Sequence, residues 1–421
     1  MATGLLERDS LAPVPPHVPA DRVVDFDMFN PAGIEELGVH EAWRQLQKGR
    51  EHKLVWTPRN GGHWIAIRGQ TIRAMYRDPA HFSSHVIWIP KSEGEKYGLV
   101  PTRMDPPEHT PFREILNKAI GLSTTRQLEG MVREVAAEIA EDIRPRGQCN
   151  FTEDYAKVFP IRVFLKLVNL PMSDAPKLKH WADQMTRPDG TMSMEQVMDN
   201  FFTYLSPVID ERLKDPGNDM ISKVIHNRID GRDMTRQEML GLVALLLIAG
   251  LDTVVNILSF FMEFLAKNPD HRKQLTDNPA TIRKGIEELF RRFPVVADAR
   301  MVKEDMEYDG VQLKAGEMVC VPTLLGGTDE QMNECPMKVD FGRKGISHVT
   351  FADGPHICAG QHLARLEATV TLEEWLARIP NFSIAPGAKI QHKSGIVCAV
   401  ESLPLVWDPA GTKTIAPYKS A

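Results

Sequence analysis

The chain has 421 residues, a net charge of −6, and a composition that is 43% hydrophobic and 25% charged, which is typical of a globular protein with a sizeable core. The acidic balance argues against general nucleic-acid binding, which needs a basic surface. The five cysteines stand far apart without a Cys-x-x-Cys pair, which argues against a zinc ribbon and fits a reducing compartment. Residues 1–24 lack the apolar core of a signal peptide, and the longest aliphatic run, residues 242–251, is shorter than the ~20 residues of a membrane span. We therefore expect a cytoplasmic protein that does not enter a membrane.

The first predicted elements are an arm and short strands. Residues 1–25 contain four prolines and predict an extended N-terminal arm, followed by a single domain over residues 26–421. Strand-like residues 53–57 and 63–67 flank a turn at Asn60 and Gly61, which predicts a hairpin. A second hairpin is predicted around Asp309 and Gly310, and residues 397–406 predict a further strand.

Helices dominate the rest of the chain. Apolar residues recur at three- and four-residue intervals in four segments, residues 128–143, 201–213, 281–293 and 360–379, as in amphipathic helices. A longer helix is predicted from Thr235, which stands at capping-box spacing from Glu238, to Lys267, before a proline. That helix would be ~50 Å long and buried on most faces. The predicted fold class is mainly α with a minor β region (α+β).

Cys358 lies in a glycine-rich loop, residues 351–360, just before a predicted helix. Unpaired N–H groups at a helix start favour an anionic thiolate, which can act as a metal ligand. Gly354 and Gly360 let the backbone approach a large flat group. The pattern Phe-x-x-Gly-x-His-x-Cys-x-Gly resembles the haem-ligand loop of the cytochrome P450 family. The resemblance implies the cytochrome P450 fold with a long helix crossing the haem, haem b ligated by Cys358, and O2 as co-substrate.

The long helix contains the sequence Ala-Gly-Leu-Asp-Thr at residues 249–253. Taken alone, these residues leave a structural interpretation open, in which Thr253 bonds to a carbonyl four residues earlier and Asp252 sits in a salt bridge. The segment also matches the oxygen-activation segment of the family. That match implies that Thr253 supports the dioxygen, that Asp252 relays protons, and that Lys179 and Arg187 hold the Asp252 carboxylate.

Further residues are implied to hold the haem. Its two propionates need cationic donors, and Arg is well shaped for carboxylates. The positions that match are His109, Arg113, Arg300 and His356. Glu288 and Arg291 match a buried structural ion pair of the family.

From about residue 27 to residue 409 the chain is similar to the camphor-hydroxylating members of the family, in runs such as residues 250–256 and 391–397. In those members a Tyr hydroxyl donates to the camphor ketone, and the matching residue is Tyr97. The other pocket positions implied are Trp88, Leu99, Thr102, Thr186, Leu245, Ile248, Val296, Asp298, Ile396 and Val397. Trp88, Leu99 and Ile248 differ from their counterparts, which shifts the volume of the pocket.

The resemblance also implies an external electron donor. Arg73, Arg113 and Arg365 match a basic surface that would attract an acidic [2Fe–2S] ferredoxin, itself reduced by an NADH-dependent flavoprotein. The camphor-hydroxylating members also bind a potassium ion (K+). A Glu beside that ion is His85 here, which puts the ion site in question.

The function expected from this resemblance is hydroxylation of camphor or a similar bicyclic monoterpenoid ketone. Two alternatives stay open: the same chemistry on another small ketone, such as a norisoprenoid, and a haem-thiolate sensor without turnover. Asp252 and Thr253 argue against the sensor, because sensing needs no proton relay.

Overall fold

The computed structural model describes residues 11–96 and 98–415. The α-helices of the described chain are α1 (Ile34–Leu37), α2 (Val39–Arg44), α3 (Gly69–Tyr76), α4 (Lys91–Gly94), α5 (His109–Ile120), α6 (Leu122–Ile143), α7 (Phe159–Val168), α8 (Ala175–Thr186), α9 (Met194–Lys214), α10 (Met220–Ile225), α11 (Arg236–Leu251), α12 (Thr253–Lys267), α13 (Pro269–Asp277), α14 (Ile282–Arg292), α15 (Thr323–Gly326) and α16 (Gln361–Arg378). The predicted fold class, mainly α with a minor β region, is confirmed.

The strands are short and form small sheets. They are β1 (Leu54–Thr57), β2 (His63–Ala66), β3 (Phe82–Ser83), β4 (Gln148–Asn150), β5 (Arg228–Ile229), β6 (Arg232–Asp233), β7 (Ala297–Val302), β8 (Met306–Tyr308), β9 (Val311–Leu313), β10 (Met318–Pro322), β11 (Ser383–Ile384), β12 (His392–Lys393), β13 (Ala399–Val400) and β14 (Pro404–Val406). The largest sheet has the strand order β1-β2-β10-β7-β3, and a second has the order β11-β14-β4.

Both predicted hairpins are confirmed. β1 pairs antiparallel with β2, with Trp56 opposite Trp64, and the turn between them has positive φ angles at Asn60 and Gly61. β8 pairs antiparallel with β9 across Asp309 and Gly310, which also have positive φ. Turn residues that tolerate the left-handed region therefore identified both hairpins.

One predicted strand was wrong in extent. Residues 397–406 do not form one strand but contain β13 and β14, which belong to different sheets. β13 pairs with β12, whereas β14 pairs with β11 and β4. The chain bends between the two because each half finds a different partner.

The helix predicted to start at Thr235 is confirmed at both ends and wrong at its middle. The Thr235 side chain accepts from the Glu238 amide in a capping box, and α12 ends at Lys267. The run is interrupted at Asp252, whose φ of −128° and ψ of −46° depart from helical values. Residues Arg236–Lys267 are long and apolar enough to cross a membrane, but 72% of the most apolar window is buried in the protein, as expected for a core element.

The described part of the N-terminal arm lies against the first hairpin. Arg22 donates to the Asp309 carboxylate at 2.7 Å and to the Leu54 carbonyl at 3.1 Å. Val23 forms a parallel bridge with Trp56. The arm is thus tied to residues from both halves of the chain.

A buried ion pair positions the loop that follows the main sheet. Glu288 and Arg291 are both fully buried, and Arg291 donates to the Glu288 carboxylate at 2.7 and 2.9 Å. Between the two, the Phe290 carbonyl accepts from the Thr350 hydroxyl at 2.8 Å. α14 therefore fixes the start of the Cys358 loop.

Candidate active site

A cavity of about 290 Å³ lies between the α11–α12 break and the Cys358 loop. Its wall is mostly apolar and includes side chains from α5, α7, α11, α12, β7 and α16. The cavity brings together many of the residues singled out in the sequence, namely Thr102, His109, Arg113, Leu245, Thr253, Val296, Asp298, Arg300, His356 and Cys358. Residues from distant parts of the chain thus face one space.

The loop before α16 presents the Cys358 sulfur to this cavity. The Cys358 amide donates to the Phe351 carbonyl at 2.8 Å, which closes the loop. Gly354 has a φ of +66°, and a Cβ there would lie 2.4 Å from the Tyr76 carbonyl oxygen, so only glycine fits. The Cys358 side chain is exposed to the cavity. The protein packed around it raises the pKa of its thiol, while the Gly360 amide and Arg113 favour the thiolate.

The polar groups at one side of the cavity fit the carboxylates of a haem. His109 Nε2 and His356 Nε2 are buried without a hydrogen-bond partner among the described residues, and the two rings are 4.2 Å apart. Burial lowers the pKa of His109 to about 4 and that of His356 to about 2, so both rings are neutral near pH 7. Arg113 and Arg300 line the same side. One unpartnered nitrogen on each imidazole and two guanidinium groups beside a cysteine sulfur fit the carboxylates and the iron of a haem.

Thr253 faces the cavity at the start of α12. Its hydroxyl donates to the Ala249 carbonyl at 3.3 Å. This is the hydrogen bond to a carbonyl four residues earlier that the structural interpretation of the sequence predicts. Next to Ala249, a Cβ on Gly250 would lie 2.5 Å from a ring carbon of Phe164. The helix therefore approaches α7 closely at the cavity wall.

Asp252 points away from the cavity and is almost completely buried, with 1% of its surface exposed. Its carboxylate accepts from Arg187 at 2.7 and 2.8 Å, and from Lys179 at 3.1 Å. Burial acts to raise the pKa of Asp252, but the Arg187 and Lys179 charges outweigh it and hold that pKa well below its usual range. Both cations also contact Asp183, whose side chain is 32% exposed.

Two neutral side chains complete the shell of Asp252. The Thr186 hydroxyl lies 2.9 Å from one carboxylate oxygen, and the Asn256 amide donates to the other at 2.9 Å. Thr186 and Arg187 end α8, so a helix distant in sequence holds the side chain at the break. This explains the interruption of the long helix, because the carboxylate is held sideways by partners on another element.

Tyr97 lies outside the described residues. Six other predicted pocket residues are buried and are not part of the cavity wall, namely Trp88, Leu99, Thr186, Ile248, Ile396 and Val397. Backbone hydrogen bonds connect this layer to the site, since the Ile396 amide donates to the Thr186 carbonyl at 3.1 Å and its carbonyl accepts from Ala297 at 2.9 Å.

Two titratable side chains in the cavity wall, Tyr76 and Glu367, were not predicted from the sequence. The Tyr76 hydroxyl lies 2.5 Å from Asp298 Oδ1 and 2.8 Å from the Val321 carbonyl. No motif surrounds Tyr76, so the sequence held no signal for it. Glu367 also lines the cavity, and burial raises its pKa to about 8. It stands four residues after Leu363, another lining residue, so helical periodicity from the Cys358 loop could have indicated it.

The predicted redox surface contains cations that already have partners. Arg365 donates to the Glu287 carboxylate at 2.7 Å and its guanidinium lies 4.3 Å from the centre of the Phe351 ring. Arg73 lies 3.3 Å from the Asp353 carboxylate and donates to the His348 carbonyl at 3.1 Å. Arg113 faces the cavity.

Comparisons with known proteins agree with the geometry. The sequence profile of the cytochrome P450 family matches residues 161–394. A curated relative, the probable cytochrome P450 127A1 of Sinorhizobium fredii, is 31% identical over 94% of this chain and 97% of its own length. The crystal structure of CYP101J2 has a TM-score of 0.87 and 43% identity, and covers 94% of this chain and 100% of that one. The crystal structure of CYP101C1 has a TM-score of 0.86 and 37% identity, with the same coverage.

Proposed function

Because the chain belongs to the cytochrome P450 family, and so is a haem-thiolate monooxygenase, we propose that it hydroxylates camphor or a similar bicyclic monoterpenoid ketone. The observation that carries the proposal is the apolar cavity that joins Cys358 to Thr253. Haem and substrate would share this cavity, and its mostly apolar wall at α11 and α12 suits an apolar substrate. The similarity of residues 250–256 and 391–397 to the camphor-hydroxylating members supports the choice of ketone.

Haem b, when bound, supplies the activation of O2. In the proposed site the Cys358 thiolate would bind its iron. His109, His356, Arg113 and Arg300 would hold the propionates, because all four side chains line the same part of the cavity. This arrangement leaves the opposite side, at the α11–α12 break, for substrate and oxygen.

Asp252 and Thr253 deliver protons in the proposed mechanism. Asp183, with its partly exposed side chain, stands at the solvent end of the cluster, and Lys179 and Arg187 connect it to Asp252. When Asp252 leaves these partners, its carboxylate can take a proton from solvent and present it to the Thr253 hydroxyl. Thr253 then passes the proton into the cavity, while the buried cluster keeps bulk water out.

Tyr97 orients the substrate by donating a hydrogen bond to its ketone. Leu245, Val296 and Thr102 contact the hydrocarbon skeleton from the cavity wall. One donor in an apolar pocket sets which carbon faces the haem, and apolar contact supplies most of the affinity.

Electrons come from a partner in this proposal. An acidic [2Fe–2S] ferredoxin, reduced by an NADH-dependent flavoprotein, docks near Arg73, Arg113 and Arg365. The enzyme works in the cytoplasm as one haem-binding domain, residues 26–421, behind its N-terminal arm. Arg365 and Arg73 keep carboxylate partners, so the attraction to the ferredoxin is moderate.

A substrate titration tests the proposal. Camphor added to the ferric protein should displace water and convert the low-spin spectrum to high-spin. Tyr97→Phe should raise the dissociation constant of camphor about tenfold, the effect of one lost hydrogen bond of about 1.4 kcal/mol. Tyr308→Phe, in the distant β8–β9 hairpin, is the matched control and should bind camphor normally.

The alternatives have distinct outcomes. A spectral change with a norisoprenoid but none with camphor would favour the other ketone. A spectral change without any consumption of NADH in the presence of ferredoxin and reductase would favour the sensor.

A further inference from the structure

The segment from His85 to Glu95 is closed by one side chain. Arg103 Nε donates to the His85 carbonyl at 2.7 Å, and Arg103 Nη1 donates to the Glu95 carbonyl at 3.0 Å. The two carbonyls lie on either side of α4 (Lys91–Gly94). A guanidinium with donors in a fixed fork can hold both at once.

Close packing inside the segment makes this closure specific. A Cβ on Gly94 would lie 2.6 Å from Val86 Cγ1 and 2.8 Å from the Trp88 carbonyl oxygen. α4 therefore rests directly on residues 86–88. With the ends held by Arg103, the segment forms a compact loop whose backbone carbonyls converge on a positive charge.

The backbone of the same residue contacts the chain after Tyr97. The Arg103 amide donates to the Leu99 carbonyl at 3.4 Å, and the Thr102 hydroxyl donates to the same carbonyl at 3.1 Å. Leu99 itself is completely buried. Arg103 thus contacts the chain on both sides of Tyr97, through its side chain at Glu95 and through its backbone amide at Leu99.

The residues here do not fit the potassium ion implied by the resemblance. Converging backbone carbonyls are the ligands that K+ takes in proteins. His85 occupies the position of the Glu that stands beside that ion in the camphor-hydroxylating members. Its carbonyl already accepts from a cation that cannot lose its proton. A second positive charge at hydrogen-bond distance would be repelled.

We propose that the Arg103 guanidinium takes the place of a bound K+ and makes substrate binding independent of that ion. Arg103 is a positioning residue, which acts on the substrate through the loop that carries Tyr97. The readout by camphor rests on the proposed function, whereas the state of the loop can be measured without any substrate.

The main test compares camphor binding in two buffers of equal ionic strength, one with potassium chloride and one with choline chloride. The native protein should bind camphor equally in both. Arg103→Ser should bind camphor about tenfold more weakly in choline chloride, as expected for the loss of charge-assisted hydrogen bonds, and K+ should restore its affinity. Arg50→Ser is the matched control, because Arg50 also donates to two backbone carbonyls, those of Gln45 and Leu46, and should show neither effect.

Three results would overturn the proposal. They are a native protein whose affinity rises with K+, an Arg103→Ser variant that binds camphor normally without K+, and a weakened variant that K+ does not restore.

A second measurement separates failure of this inference from failure of the proposed function. A glutamate-specific protease should cut after Glu93 or Glu95 faster in Arg103→Ser than in the native protein, and K+ should slow the cutting of the variant alone. If camphor leaves every spectrum unchanged but the protease result holds, the loop inference stands and the substrate was wrong. Equal cutting rates in both proteins would overturn the loop inference itself.

Discussion

The Thr253 hydroxyl combines two interactions that the sequence had presented as alternatives. It donates to the Ala249 carbonyl, as in the structural interpretation, and it faces the cavity, as the proposed relay needs. Likewise Asp252 sits in a salt bridge with Lys179 and Arg187. A back-bond of 3.3 Å is long for a hydroxyl, so it can be exchanged for a partner in the cavity.

Thr253→Ala should therefore keep haem and camphor binding but divert electrons to hydrogen peroxide, because the proton supply loses its last hydroxyl. The measurement is the ratio of hydroxylated product to NADH consumed, which should fall at least severalfold. Thr253→Ser keeps the hydroxyl and should retain most of the coupling. An alanine variant that couples as well as the native protein would remove Thr253 from the mechanism.

Residues in local motifs could be predicted and residues in tertiary contacts could not. Cys358 and His356 stand two apart in a spaced pattern, so their shared loop could be found in the sequence. The contact of Thr186 with Asp252 joins two residues that are 66 positions apart in the sequence, and no local spacing indicates it. Thr186 was therefore assigned to the substrate pocket, whereas its hydroxyl lies at the Asp252 carboxylate.

At the scale of elements, helix ends were more predictable than the helix break. Thr235 and Glu238 form a capping box from side chains three residues apart, which is a local property. The break at Asp252 depends on Arg187 and Lys179 from α8. Periodicity therefore gave the correct ends of the long helix but not its interruption.

Thr235→Ala should lower the free energy of unfolding by about 1 kcal/mol, the usual effect of losing an N-cap. The measurement is denaturant unfolding of the haem-loaded protein. Thr276→Ala is the matched control, since Thr276 lies within α13 and its hydroxyl caps no helix start. A loss at Thr235 no larger than that at Thr276 would contradict a stabilising role for the cap.

At the scale of the whole molecule, the fold class was predictable but the sheet order was not. Both hairpins follow from their turn residues. The central pairing of the main sheet places Val319 opposite Trp64, and these residues are separated by most of the helical part of the chain. Such long-range register depends on how the helices pack first, which no local pattern records.

The net charge of −6 makes any basic surface important for a negatively charged partner. Reduction by an acidic ferredoxin should slow as ionic strength rises, because screening weakens long-range attraction. Arg365→Gln should reduce the rate at low salt severalfold, measured by stopped-flow. Arg232→Gln is the matched control, since Arg232 also pairs with a carboxylate, that of Glu238, at the far end of α11. Equal rates in both variants would remove Arg365 from the docking surface.

The near contact between Gly250 and Phe164 limits how this catalyst could acquire new substrates. No larger side chain fits at residue 250, where a Cβ would lie 2.5 Å from the ring. Ala249 beside it borders the cavity, and its side chain is exposed to that space. Natural variation and protein engineering alike would therefore reshape the pocket through residue 249, while residue 250 stays invariant unless Phe164 changes with it.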